Sequence, residues 1–128
     1  MLKHKELTDQ IIQSFYKVYN ELGTGFLETI YENSLVIVLR ERGLKVDQQK
    51  DLKVKFRDVI VGDYRTDLII DDKIIIEIKA VSKLIKAHEA QLIHYLKATG
   101  IEVGIILNFG DSPEFKRMIF SKNKKGSA

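Results

Sequence analysis

Thirteen consecutive residues, Asp67-Leu-Ile-Ile-Asp-Asp-Lys-Ile-Ile-Ile-Glu77-Ile-Lys79, place two carboxylates and an amine on adjoining apolar segments. Ile74, Ile75, Ile76 and Ile78 mark the second segment as a buried strand. A carboxylate at Glu77 in that setting needs a proton, a cation or several hydrogen bonds to offset its desolvation. Residues two apart on a strand share a face, so Glu77 and Lys79 project together. Two hard oxygen donors beside an amine form a plausible Mg²⁺-dependent site for hydrolysing a phosphodiester with water. A structural ion pair within a hairpin is the alternative use of the same residues.

Whether Asp67 joins Glu77 depends on the turn between them. A strict two-residue loop at Asp71-Asp72 sets Asp67 opposite Ile76 and sends Glu77 to the other side, with Thr66 and Leu68. One more residue in the turn, or a bulge near Asp67, brings Asp67 opposite Glu77. The catalytic reading therefore predicts a three-residue turn or a bulge.

The elements that must position these groups follow from periodicity. Leu7, Ile11, Phe15, Val18 and Leu22 form a 3.6-residue stripe stopped at Gly23, and Ile30, Tyr31, Leu35, Val38 and Leu39 form a second, over about 27–42, closed by Gly43. Strands are expected over 46–56, over 59–70 with an irregularity at Gly62-Asp63, and over 74–79. A helix over 85–99 ends at Gly100, a short buried strand covers 103–107, and 115–120 supplies an edge strand after the Gly110–Pro113 turn. The order α-α-β-β-β-α-β-β predicts an α/β fold with a mixed four- to five-stranded sheet flanked by helices. Its parallel contact should involve the strand after the long helix, which can serve as a crossover.

The chain has 128 residues, 45% hydrophobic and 30% charged, as expected for one globular domain over 1–128. It has no cysteine, which excludes disulfides and thiolate ligands and suits a reducing, cytoplasmic setting. No apolar run is long enough to cross a bilayer, so no membrane partner is expected. The net charge of +3 points only weakly to an anionic partner. Lys122, Lys124 and Lys125 read as a solvated terminus, with phosphate contact as the second reading.

Further motifs complete the pattern. Gly25-Phe-Leu-Glu28-Thr-Ile-Tyr31 is followed by Gly62-Asp-Tyr-Arg65-Thr-Asp67, then by Glu77-Ile-Lys79-Ala80, and then by His88-Glu-Ala-Gln91-Leu-Ile-His-Tyr95-Leu-Lys97. This ordered set, reaching from about Leu7 to Phe120, resembles the GxxExxY protein family, a branch of the PD-(D/E)xK nuclease superfamily. The Glu28 helix and the Gln91/Tyr95 helix resemble the additional motifs of RecB-like and lambda-exonuclease-like nucleases. The superfamily's usual Pro before the first Asp is replaced by Thr66.

The resemblance implies a restriction-endonuclease-like core and a metal-dependent nuclease, with Mg²⁺, or Mn²⁺ in its place, as cofactor. Asp67, Glu77 and the Ile78 carbonyl would hold the ion. Glu28 either adds a carboxylate, directly or through water, or caps its helix. Lys79 would position or deprotonate the attacking water, or else pair with Glu77. Gln91 and Tyr95, four apart on one helical face, would orient water or contact phosphate or Glu28, or support the sheet as a polar cluster. Tyr31 would place its hydroxyl near the site, His88 would stand behind it, and Arg65 would touch phosphate or pair with Asp63. Asp71 and Asp72 serve the turn. The expected partner is nucleic acid, DNA before RNA, with a second copy or a protein partner supplying further grip. The rival reading is a catalytically silent nuclease-like module that binds nucleic acid or protein.

Overall fold

The structure, a computed structural model, describes residues 3–121; the basic tail at Lys122, Lys124 and Lys125 lies outside them. Helix α1 covers Lys5–Leu22 and buries Leu7, Ile11, Phe15 and Val18. It stops at Gly23, whose positive φ of 73° suits a glycine and whose N–H reaches the Tyr19 carbonyl at 2.8 Å. Helix α2 covers Glu28–Glu41. Its buried face is Tyr31, Glu32, Leu35, Val36 and Leu39, while Ile30 is exposed. The stripe is thus rotated from the expected one, with a glutamate drawn inward.

Five strands follow: β1 (Val46–Phe56), β2 (Val59–Ile70), β3 (Ile74–Lys79), then β4 (Val103–Phe109) and β5 (Pro113–Ile119) after helix α3 (Lys86–Thr99). They form one sheet in the order β1-β2-β3-β4-β5. Every neighbouring pair is antiparallel except β3 with β4, which α3 connects as a crossover. Helices α1 and α2 pack on one face against Leu68, Ile70, Ile74, Ile76, Ile78, Ile105 and Leu107. On the other face α3 sets Leu92, Tyr95 and Leu96 against Ile69, Ile75 and Ile106. β3 and β4 are covered on both sides, which is why they read as unbroken apolar runs. The fold is the restriction-endonuclease-like α/β core, with the expected element order. The β1–β2 irregularity falls at Val54/Lys55, opposite Val61, next to the expected Gly62-Asp63.

The segment leaving β3 is clamped by β4. Asn108, fully buried, accepts from the Val81 N–H at 2.9 Å and donates to the Val81 carbonyl at 2.9 Å. Glu114 accepts from the Leu84 N–H at 3.2 Å. This clamp fixes the strand end that carries Lys79, itself in register with Asn108. Gly110 is packed against the same carbonyl: a Cβ there would lie 2.2 Å from Val81 O. Because that oxygen is held by Asn108, Gly110→Ala is expected to destabilise the fold by about 3 kcal/mol, the upper range for overpacking a filled core. Urea unfolding reads this directly; a loss below about 0.5 kcal/mol, the size of an ordinary surface change, would mean the carbonyl is free to move.

Candidate active site

The turn between β2 and β3 has three residues. Ile70 pairs with Ile74, and the Lys73 N–H donates to the Ile70 carbonyl at 2.9 Å. Asp71 and Asp72 take positive φ (52° and 58°), a conformation that aspartate tolerates better than most side chains. They also tie down the start of β1: Asp71 accepts from the Lys45 N–H at 2.8 Å and Asp72 pairs with Lys45 Nζ at 2.9 Å. Continuing this register sets Asp67 level with Glu77, as the catalytic reading requires.

Regular pairing stops short of that level. The β2–β3 ladder ends at Leu68–Ile76, and the β1–β2 ladder omits the Gln49–Asp67 rung. Gln49 has a positive φ of 53°, which is uncommon for its type and costs backbone energy. The alternation of faces slips there. Val46 and Leu68 pack with the α1–α2 core, whereas Leu52 and Tyr64, in phase with them by count, pack with the α3 side. Asp67 therefore stands at a seam between splayed strands.

Its carboxylate fills that seam. Oδ2 accepts from the Ile78 N–H at 2.7 Å, taking the place of a ladder carbonyl, and Oδ1 accepts from Gln49 Nε2 at 3.3 Å. Glu77, 6% exposed, accepts from the Thr66 hydroxyl at 2.9 Å and from the Asp67 N–H. The threonine in the usual Pro position thus supplies a hydrogen bond that proline could not. Burial, followed by repulsion from Asp67, pushes the Glu77 carboxyl up to about 8; Thr66, the Asp67 N–H and Lys79 pull it back only in part. Burial also raises Asp67, against its bond to Ile78 and with the charges of Glu32 and Glu28 adding to the rise. The site holds more carboxylate than its own hydrogen bonds and amine compensate.

Glu32 is the site residue that sequence reasoning missed. It is 6% exposed, and accepts from Gln48 Nε2 at 2.8 Å and from Gln49 Nε2 at 2.9 and 3.0 Å. Gln49 thereby bridges Glu32 to Asp67. A signal existed: Glu32 lies four residues after Glu28, on the same helical face, inside the Tyr31–Leu35 stripe. Glu28 is exposed, and its charge on Asp67 ranks behind that of Glu32. The two acids of α2 therefore face the seam together, Glu32 the more closely.

Other expected residues fall in different places. Lys79 acts on Glu77 through space and forms no ion pair among the described residues. Tyr95 is buried, and its burial, followed by the charges of Glu77 and Asp67, raises its hydroxyl. Gln91 Nε2 donates to that hydroxyl at 3.2 Å. Because α3 and α2 cover opposite faces, Tyr95 does not meet Glu28. The Tyr31 hydroxyl donates to the Gly23 carbonyl and accepts from the Phe26 N–H at 3.3 Å, and its ring stacks on Phe109 at 4.4 Å. It braces the α1–α2 connection rather than the acids. Arg65 pairs with Asp51 at 2.9 Å, not with Asp63, which pairs with Lys53 at 2.8 Å; both pairs are level across β1 and β2. His88 Nδ1 accepts from the Ile85 N–H at 3.2 Å, so it caps α3. Among the described residues no three or more His, Cys, Asp or Glu side chains are grouped to hold a metal ion, and no helix is long and apolar enough to cross a membrane.

Sheet order, crossover helix and the acid-bearing seam define a restriction-endonuclease-like core. The family model of the PD-(D/E)XK nuclease superfamily matches residues 5–118, and the chain belongs to that superfamily. A solved structure titled "Crystal structure of SSO0001" is similar in fold, with 23% identity and a TM-score of 0.57. The match covers 73% of this chain and 50% of that one, so this chain spans about half of that protein's length. No curated protein matches.

Proposed function

We propose that this domain hydrolyses phosphodiester bonds of nucleic acid, DNA before RNA, as a GxxExxY-type, RecB-like member of its superfamily that requires a divalent cation. The observation that carries this reading is Glu77, a buried carboxyl beside a second acid, Asp67, with no ion-paired cation to either among the described residues. Such a donor set fits Mg²⁺, which binds through one or two carboxylates and keeps several waters; Mn²⁺ can substitute. Asp67 and Glu77 would hold the ion with the Ile78 carbonyl, and Glu28 and Glu32 would reach it through water. When bound, the cation supplies a Lewis acid for the phosphate and its attacking water.

The remaining work belongs to the chain. Lys79 Nζ donates to the attacking water or the phosphoryl oxygen and offsets charge as it develops there. Gln91, held by the Tyr95 hydroxyl, orients the water. The attacking water gives up a proton to solvent as its oxygen bonds to phosphorus, the ester P–O bond breaks, and the departing oxygen takes a proton from solvent. A domain of this size grips a substrate best with help from a second copy or a protein partner.

One observation favours the silent-module reading: among the described residues no three acids are grouped to hold a metal ion. Labelled linear and circular DNA and RNA, incubated with Mg²⁺, Mn²⁺ or EDTA, separate the two. Cleavage in either metal but not in EDTA, lost in Glu77→Ala, is the expected result. Binding without cleavage in any metal, or cleavage that survives Glu77→Ala, would overturn it.

A further inference from the structure

On the α3 side of the seam runs an open groove of about 570 Å³ between the β1–β2 ribbon and α3. Lys53 and Lys55 line it from β1, Tyr64 from β2, and His94 and Lys97 from α3; no carboxylate is among the described residues that line it. Lys53 is shared with Asp63, and Lys97 Nζ lies 5.4 Å from the centre of the Phe120 ring. One ring contact links the groove to the acids: Tyr64 meets Tyr95 edge to face, with centroids 4.8 Å apart, and Tyr95 lies within range of the charges of Glu77 and Asp67. The face slip at Gln49 creates this arrangement, because it turns Leu52 and Tyr64 toward α3.

We propose that this groove carries a single strand of nucleic acid flanking the reacting phosphate, with Lys55 and Lys97 on backbone phosphates and Tyr64 under a base. The proposal rests on the nuclease reading for where the reacting phosphate lies. A cationic groove with an aromatic lining residue is the arrangement by which single strands are held without reading sequence. Flexible lysines on β1 and α3 suit a backbone passing between them. A duplex would have to straddle both elements, leaving Tyr64 no exposed base face.

Fluorescence anisotropy of a labelled single strand of about 12 nucleotides, in EDTA so that nothing is cleaved, tests this. Lys55→Gln/Lys97→Gln is expected to weaken binding about tenfold and to reduce the salt slope by about 1.4, the value for two phosphate contacts on a single strand. Lys5→Gln/Lys17→Gln removes the same charge from α1 and should leave binding unchanged. Equal weakening by the two pairs, no measurable binding, or equal affinity for the annealed duplex would overturn the proposal. With Mg²⁺ the groove pair should raise KM and spare kcat. Binding through the groove with no cleavage would uphold the groove and end the nuclease reading; cleavage with KM unmoved by the groove pair would do the reverse.

Discussion

Lys79→Ala is expected to slow phosphodiester cleavage by about two to three orders of magnitude while the domain stays folded. The size follows from what the amine would do: offset charge that exists only in the transition state, in a site where burial has excluded much of the water. The fold should persist because Lys79 ends β3, is only half-buried and forms no ion pair among the described residues. Its position is set instead by backbone: register with Asn108 and the clamp on Val81. Lys79→Arg keeps the charge on a longer, planar head and should recover only part of the rate. Single-turnover cleavage at saturating Mg²⁺ measures the effect, with circular dichroism as the control for folding. A loss smaller than tenfold in a folded variant would remove Lys79 from the chemistry.

Much of this site was legible because its parts obey local rules. Gly23 and Gly100 stop helices, the isoleucine runs announce strands covered on both faces, and the three-residue turn that the catalytic reading requires is the one that pairs Ile70 with Ile74. What escaped obeys tertiary rules. A glutamine with positive φ at Gln49 has no local signature, yet it reverses the faces of two strands and carries Thr66 to Glu77. Glu32 falls inside the apolar stripe of its helix, but the partners that satisfy it there, Gln48 and Gln49, arrive from β1. Arg65 sits two residues from Asp63, but its partner is chosen by register across the ribbon, where Asp51 stands opposite. Tyr31 belongs to a motif whose first glycine lies at a loop, and the hydroxyl serves that loop.

Glu77 also ties cation binding to pH. Its carboxyl is raised from an ordinary 4.5 to about 8 in the folded domain. Between those values the native state holds a proton that the unfolded chain has released. The associated stabilisation is full below 4.5 and is lost as pH rises through 8. The slope is at most about −1.4 kcal/mol per pH unit in the metal-free domain. Asp67, also raised, adds in the same direction: its stabilisation is present below its ordinary 3.8 and is lost as pH rises through its folded pKa. A divalent cation requires the carboxylate and must displace the Glu77 proton. Its affinity should therefore climb about tenfold per unit from pH 6 to 8 and level off above, since ligand protons and metal compete. Glu77→Gln keeps an acceptor for Thr66 but carries no proton to displace, so the affinity becomes weak and climbs less steeply with pH, and in EDTA the urea midpoint falls less steeply, with only the Asp67 contribution left. Surface carboxylates titrate alike in both proteins, so the difference between their curves isolates this group. Calorimetric titration with Mg²⁺ at pH 6, 7, 8 and 9 reads the first effect and urea unfolding in EDTA the second. A wild-type affinity independent of pH would show that the cation, wherever it binds, does not touch Glu77.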